Sequence, residues 1–447
     1  MSRSVVVGRI AILLCAACGD DAGFIWPDGP DIDATPACPP ITGPGVVKGT
    51  NITTPETWTA AESPHIIMFD TSIGAAVTIE KCAEVRIGGG KQVSIRAGGS
   101  INTHGEPFLP VTIKGIDTTP WVNIRTLNGG TLSLVHTSII GGGDPQNGIA
   151  LFSATLDIAG TTPATQPILH AEHVYIDSSE SCGISLHDGG GFDDTSTDVW
   201  VTNALCPITT FARAIGTIPT GRYTDNQLDE IVVRATGGPE AIAEDATIHE
   251  RGVPYRIGTQ PNLTLDVGGV TGLATLTIEP GVRLRFAPGA TMRIDAASGT
   301  NPARGALIAV GTIGAPIVFT SSAATPAAGD WNGVWFGGTV DATSRMDHTR
   351  VEFAGKQSSS GSDSCIPSGQ VRPNDAAIRI LGDEPATVFI TNTKIVQSAF
   401  HGIDRGYRSD TKASYLPTND FPVPLGGCKE SYPRDESGAC PTTVPCP

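Results

Sequence analysis

The sequence predicts an all-β chain wound as a parallel solenoid with three faces, in two duplicated units. Three observations carry that expectation. First, Gly 54 and Pro 34 stand among 447 residues while charged residues make up only 17%, and a chain so rich in the two poorest helix formers favours strands and turns. Second, apolar pairs with a period of two, such as Val77/Ile79, Val85/Ile87 and Val93/Ile95, follow one another at a regular interval. Each pair reads as a strand with one buried face; three of them with their turns take about 24 residues, the length of one three-faced coil. Third, Val77-Thr78-Ile79-Glu80 recurs as Leu276-Thr277-Ile278-Glu279, with Arg86, Gly90 and Ile95 meeting Arg285, Gly289 and Ile294 in the same register. Further on, Pro110–Ile113 matches Pro316–Phe319, His136-Thr137 matches His348-Thr349, and Gly183-Ile184 matches Gly402-Ile403, at displacements that grow stepwise. Loops that lengthen while strands keep their register leave that pattern. A β-sandwich is the alternative, but the Asn-Gly and Asp-Gly signals of hairpins are scarce between the pairs.

Taken in order, residues 1–17 read as an export signal. Arg3 and Arg9 precede a short apolar run ending at Leu14, too short to span a bilayer. Ala16-Ala17-Cys18-Gly19 resembles a bacterial lipoprotein cleavage site, which implies that Cys18 is acylated and begins the mature chain. Cys15 stands where that pattern usually has Leu, and ordinary secretion is the alternative. Residues 18–44, acidic and Pro-rich, read as a tether. The first β-helical unit covers 45–206. Residues 207–250 have weak periodicity and read as a linker or excursion, and 251–405 form the second unit. Residues 406–447, rich in Pro, Gly and Cys, read as a C-terminal cap or tail over the last coil, whose edge would otherwise be an unpaired strand.

Of ten cysteines, those left after Cys15 and Cys18 are even in number, as disulfides in an oxidising compartment require. Cys182 and Cys206 lie one coil apart, which places them in neighbouring rungs; two buried free thiols are the alternative. Cys38, Cys82, Cys365, Cys428, Cys440 and Cys446 are left with open connectivity.

Four segments in order, 276–289 (LTIEPGVRLRFAPG), 305–321 (GALIAVGTIGAPIVFTS), 329–336 (GDWNGVWF) and 348–355 (HTRVEFAG), resemble the bacterial right-handed parallel β-helix proteins of the pectin-lyase-like superfamily, and among them secreted surface lipoproteins. In the first unit Trp121-Val122-Asn123-Ile124 stands where Trp331-Asn332-Gly333-Val334 does in the second. The resemblance implies a right-handed parallel β-helix at the outer membrane or cell surface. It also implies a membrane held through a lipid anchor and contact with a polysaccharide or an envelope protein. Enzymes of that superfamily cut acidic polysaccharides, so a polysaccharide lyase or glycoside hydrolase is the alternative function.

The residues favour binding over catalysis. Asp193 and Asp194 are the weak catalytic candidates, with His187-Asp188 close in sequence, but paired carboxylates in a Gly-rich loop are more often solvated turn residues. His401-Gly402, the His-Gly that precedes a strand-like segment, lies far along the chain from them. Gly189-Gly190-Gly191 with Asp193 is a single unmatched copy of a calcium-binding turn. Glu80 and Glu279 are expected to face water, and Trp331 and Trp335 to cover the solenoid rather than stack a sugar. The expected protein has no cofactor and no metal site, and its net charge of −16 argues against a nucleic-acid partner. It is an envelope-anchored structural or binding β-helix.

Overall fold

The computed structural model describes residues 37–143, 154–160, 168–235, 241–295, 304–358, 360–367, 374–411 and 413–446. The export signal, Cys18 and most of the tether lie outside the described residues. Within them the strand ladders are parallel, apart from the short pairing of Ser364–Cys365 with Tyr432–Pro433. One coil shows the plan. His65–Ile67, Thr71–Ile73 and Ala76–Glu80 each pair with the strand one turn later, Glu84–Ile87, Val93–Ile95 and Ser100–His104. Repeated along the chain, this makes a right-handed parallel β-helix, the hand that parallel crossovers between twisted strands adopt. Thirteen strands from Asn51–Ile52 to Lys394–Val396 form one continuous sheet, called the spine here, and sheets of eleven, five and five strands complete the other faces.

The spine forms because its inward residues stack in register. Ile52, Ile73, Ile95, Thr126, Ile158 and Leu186 follow one another as direct partners up six rungs. All are buried. The polar member of the ladder is satisfied, since the Thr126 hydroxyl donates to the Ala159 carbonyl at 2.9 Å. Between them Ser94, Arg125, Asp157 and Ser185 occupy the other face of the strands, where Arg125 and Asp157 are partly exposed while Ser185 is buried beneath Arg234, which donates to its hydroxyl at 2.8 Å. Turn chemistry repeats as well: Gly90 and Gly289, equivalent by sequence, have φ of 67° and 70°, a conformation that favours glycine.

The duplication is real at the level of strands, but the copies are not related by a shift along the axis alone. Glu84–Ile87 lies in the eleven-stranded sheet, whereas its sequence equivalent Arg283–Phe286 lies in the spine. Likewise Val93–Ile95 belongs to the spine and Thr291–Ile294 to a five-stranded sheet. The second unit is therefore turned by one of its three faces. Of residues 207–250, expected as a linker or excursion, the described stretches 207–235 and 241–250 belong to the solenoid and flank that turn. Ile208–Phe211 and Ile231–Arg234 are consecutive spine strands, Gly221–Arg222 ends the eleven-stranded sheet, and Ala246–Ile248 begins a five-stranded one. Ile215, Ile218, Tyr223 and Ile242 are buried from irregular turns and a 3-10 helix at Ala212–Thr217, so they leave no period for the eye to find.

The repeated His-Thr dipeptide marks a corner. The strand Thr131–Ile140 bends at His136 (φ 42°), and His348 has φ 48°. The threonine that follows turns inward, where Thr137 and Thr103 hydroxyls lie 2.6 Å apart and those of Thr349 and Thr393 2.9 Å apart. At the far end Asp420, Glu430 and Arg434 make parallel bridges to Lys394, Ile403 and Arg408, so the tail lies on the last rung. Disulfides join Cys38 to Cys82, Cys182 to Cys206, Cys365 to Cys440 and Cys428 to Cys446. Cys182 and Cys206 sit in neighbouring rungs with Cα atoms 4.5 Å apart. Replacing both with Ala is expected to lower unfolding free energy by about 3 kcal/mol, the chain-entropy value for such a loop. Denaturant titration checks this; unchanged stability would mean the bridge adds nothing.

Candidate functional site

The acids singled out by sequence do not converge. Phe192 and Asp193 lie at a coil corner against Leu169. The Asp193 carboxylate accepts hydrogen bonds from His170 Nδ1 at 3.0 Å, from the Thr195 hydroxyl at 3.0 Å and from the Ser196 hydroxyl at 2.7 Å. Desolvation alone would raise its pKa, but the bonds from Ser196, His170 and Thr195 outweigh it and hold the carboxyl below the usual carboxylate range. That is the opposite of what a general acid needs. Asp194 is exposed and has no hydrogen-bond partner among the described residues. His187 belongs to the spine, where it pairs with Asp157 and Asp188, each at 2.8 Å, and not with Asp193. Burial opposes its protonation, yet the two carboxylates raise its pKa. His401 is buried in the last full rung and accepts the Cys428 amide at 2.8 Å; burial holds it neutral, with its pKa lowered. His170, the true partner of Asp193, was missed by reading neighbours in sequence. The separation of one coil is the signal that would have found it.

The tryptophans are structural. Trp331 is fully buried, stacked on Phe286 with ring centroids 4.1 Å apart, and its indole donates to the Glu352 carbonyl at 2.8 Å. Trp121, its counterpart, is buried too. Trp335 points outward, but the Arg379 guanidinium lies 4.9 Å from its ring centre and closes that face to a sugar. Arg379 is itself fully buried, bonded to Asp404 at 3.3 Å and to the Ser358 hydroxyl at 3.1 Å, and so pins the long loop that follows Trp335's rung. Among the described residues no three His, Cys, Asp or Glu side chains gather as a metal site.

A groove does occur where the two units meet. It encloses about 530 Å³ and follows from the change of face, because the helical turn Ala212–Thr217 packs beside Ala246–Ile248 instead of pairing with it. At Gly216 an added Cβ would come within 3.2 Å of the Thr247 amide. Ile242, Ala243 and Ala246 contribute apolar lining, and Thr247, Thr275 and Thr277 present hydroxyls from two adjacent strands. Arg213 and Glu244 pair at 3.7 Å on one side, and His249 pairs with Glu279 at 2.8 Å on the other. Desolvation pushes the Glu279 carboxyl up, but the bonds from His249 and the Glu250 amide hold it below its usual range. Glu279 thus orients a groove residue, whereas its sequence equivalent Glu80 is exposed at the end of its strand. Comparison with protein-family models, with curated proteins and with solved structures finds no match to this chain.

One titration follows from Asp193. A folded-state pKa below the unfolded value stabilises the protein above the unfolded carboxylate pKa, and the contribution is lost as pH falls through the folded value. Asp193→Asn should therefore be less stable than wild type at neutral pH, with the gap closing as the solution is acidified through the carboxylate range. Chemical denaturation at a series of pH values checks this, and a gap that widens in acid would refute it.

Proposed function

We propose that the protein is an exported envelope lipoprotein whose β-helix serves as a rigid binding and display module rather than as a catalyst. The observation that carries this reading is the state of the Asp193–Asp194 pair, in which one carboxylate is occupied by three structural hydrogen bonds and the other stands alone in water. A hydrolase of this kind requires two carboxyl groups flanking one bond, one of them with a raised pKa. The four disulfides support export to an oxidising compartment. The resemblance to pectin-lyase-like surface lipoproteins supports the envelope address and a polysaccharide or envelope-protein contact.

Two experiments test the reading. Incubated with pectins, alginates and glycosaminoglycans, the protein should release no reducing ends and form no unsaturated products. Turnover abolished by Asp193→Asn together with Asp194→Asn would establish the carbohydrate-active enzyme instead. In cells fed labelled palmitate, the wild-type chain should carry label and partition with membranes, and Cys18→Ser should do neither. An unlabelled wild-type chain in the soluble fraction would remove the anchor from the proposal.

A further inference from the structure

We infer that the groove at the junction of the two units binds a neutral saccharide chain, recognised by the hydroxyls of Thr247, Thr275 and Thr277 between the Arg213–Glu244 and His249–Glu279 pairs. The inference rests on the reading of the protein as a binding module and gives that module a site.

The geometry supplies the recognition elements of a polyol site. Thr247 and Thr277 are register partners on adjacent parallel strands, about 4.8 Å apart, and Thr275 stands two residues along on the same outward face. None of their three hydroxyls has a hydrogen-bond partner among the described residues, so each can both donate to and accept from a ligand. The flanking ion pairs add what hydroxyls lack. Arg213 offers guanidinium N–H groups, and the Glu244 side chain, 84% exposed, keeps carboxylate oxygens free for a vicinal diol. His249, which lines the groove, uses Nδ1 on Glu279 and has no hydrogen-bond partner at Nε2 among the described residues. Ile242, Ala243 and Ala246 give a shallow apolar surface for the carbon face of a sugar ring.

Charge selects among saccharides. Glu244 and Asp245 line the groove and Glu279 adjoins it, three carboxylates against the guanidinium of Arg213 and that of Arg251, which lies near Glu279. A polyuronate would meet net negative potential there, whereas a neutral chain pays no such cost. No tryptophan, tyrosine or phenylalanine lines the groove, so binding depends on hydrogen bonds and should be weak enough to be sensitive to each hydroxyl.

The test uses the full chain in detergent and titration calorimetry with cellohexaose, maltohexaose and chitohexaose as neutral probes and oligogalacturonate as the anionic one. The expected result is that at least one neutral probe binds and oligogalacturonate does not. Hydrogen exchange in the presence of that probe should slow within 244–249 and 274–278. Thr247→Val with Thr277→Val, which keeps shape and strand preference, should weaken binding about thirtyfold, from two hydrogen bonds at their usual net value. Thr78→Val alters the sequence equivalent of Thr277 in the first unit and should change nothing. No binding by any neutral probe at millimolar concentration, stronger binding of oligogalacturonate, or affinity unmoved by the double substitution would each overturn the inference. Those outcomes without turnover leave the binding-module reading standing. Turnover of the acidic polysaccharides would instead sink that reading.

Discussion

The structure depends on one constraint, that every coil must place an aliphatic side chain directly above the one before it. A single rung cannot bury its inward face, because its only apolar neighbours are the rungs on either side. Ile73, Ile95, Ile158 and Leu186 are each sealed by the residue below and the residue above. The same stacking satisfies the backbone, since each parallel strand bonds to both neighbours and exposes nothing but its two edges. This is why the spine tolerates Thr126 in its ladder yet requires that the hydroxyl be bonded.

Whatever does not fit the ladder is moved to corners and ends. Left-handed backbone at His136 and His348 lets the chain bend without losing the inward threonine. At the last rung, where stacking stops, the tail, two disulfides and the buried Arg379–Asp404 pair replace the missing coil. Buried ion pairs of this kind return little net stability, but breaking one leaves an uncompensated charge. The arrangement therefore commits the loop and the tail to one position. Several residues with the chemistry of a catalyst, Asp193, His401 and Trp335 among them, are engaged in this work of turning and closing.

The polar groove between the units comes from an irregularity. Two units of the same pattern meet with their faces offset by one, and a helical turn occupies the place where a strand would have paired. Regular solenoid presents flat walls; the mismatch presents a recess. Thr277 lines that recess while Thr78, its twin in sequence, stands on an unbroken face. The difference between the two threonines comes from their surroundings and not from local sequence.

By itself the sequence made the strand pattern and the duplication legible and set Cys182 about one coil from Cys206, because each depends on spacing along the chain and spacing is visible in one dimension. Coil length varies, with spine partners 22 residues apart at Ile73 and Ile95 and 44 at Val351 and Ile395, and the Cys182–Cys206 bond belongs to the structure. The outward direction of Glu80 followed from the same alternation. Only the tertiary structure decided which residues meet across coils. His170 comes to Asp193 over one full turn, Arg379 closes over Trp335, and the described residues within 207–250 belong to the solenoid through buried side chains that arrive from turns without a period. The rotation of one unit against the other was also beyond the sequence. Each unit is locally identical whichever face it continues, and the choice is made by the irregular turns between them.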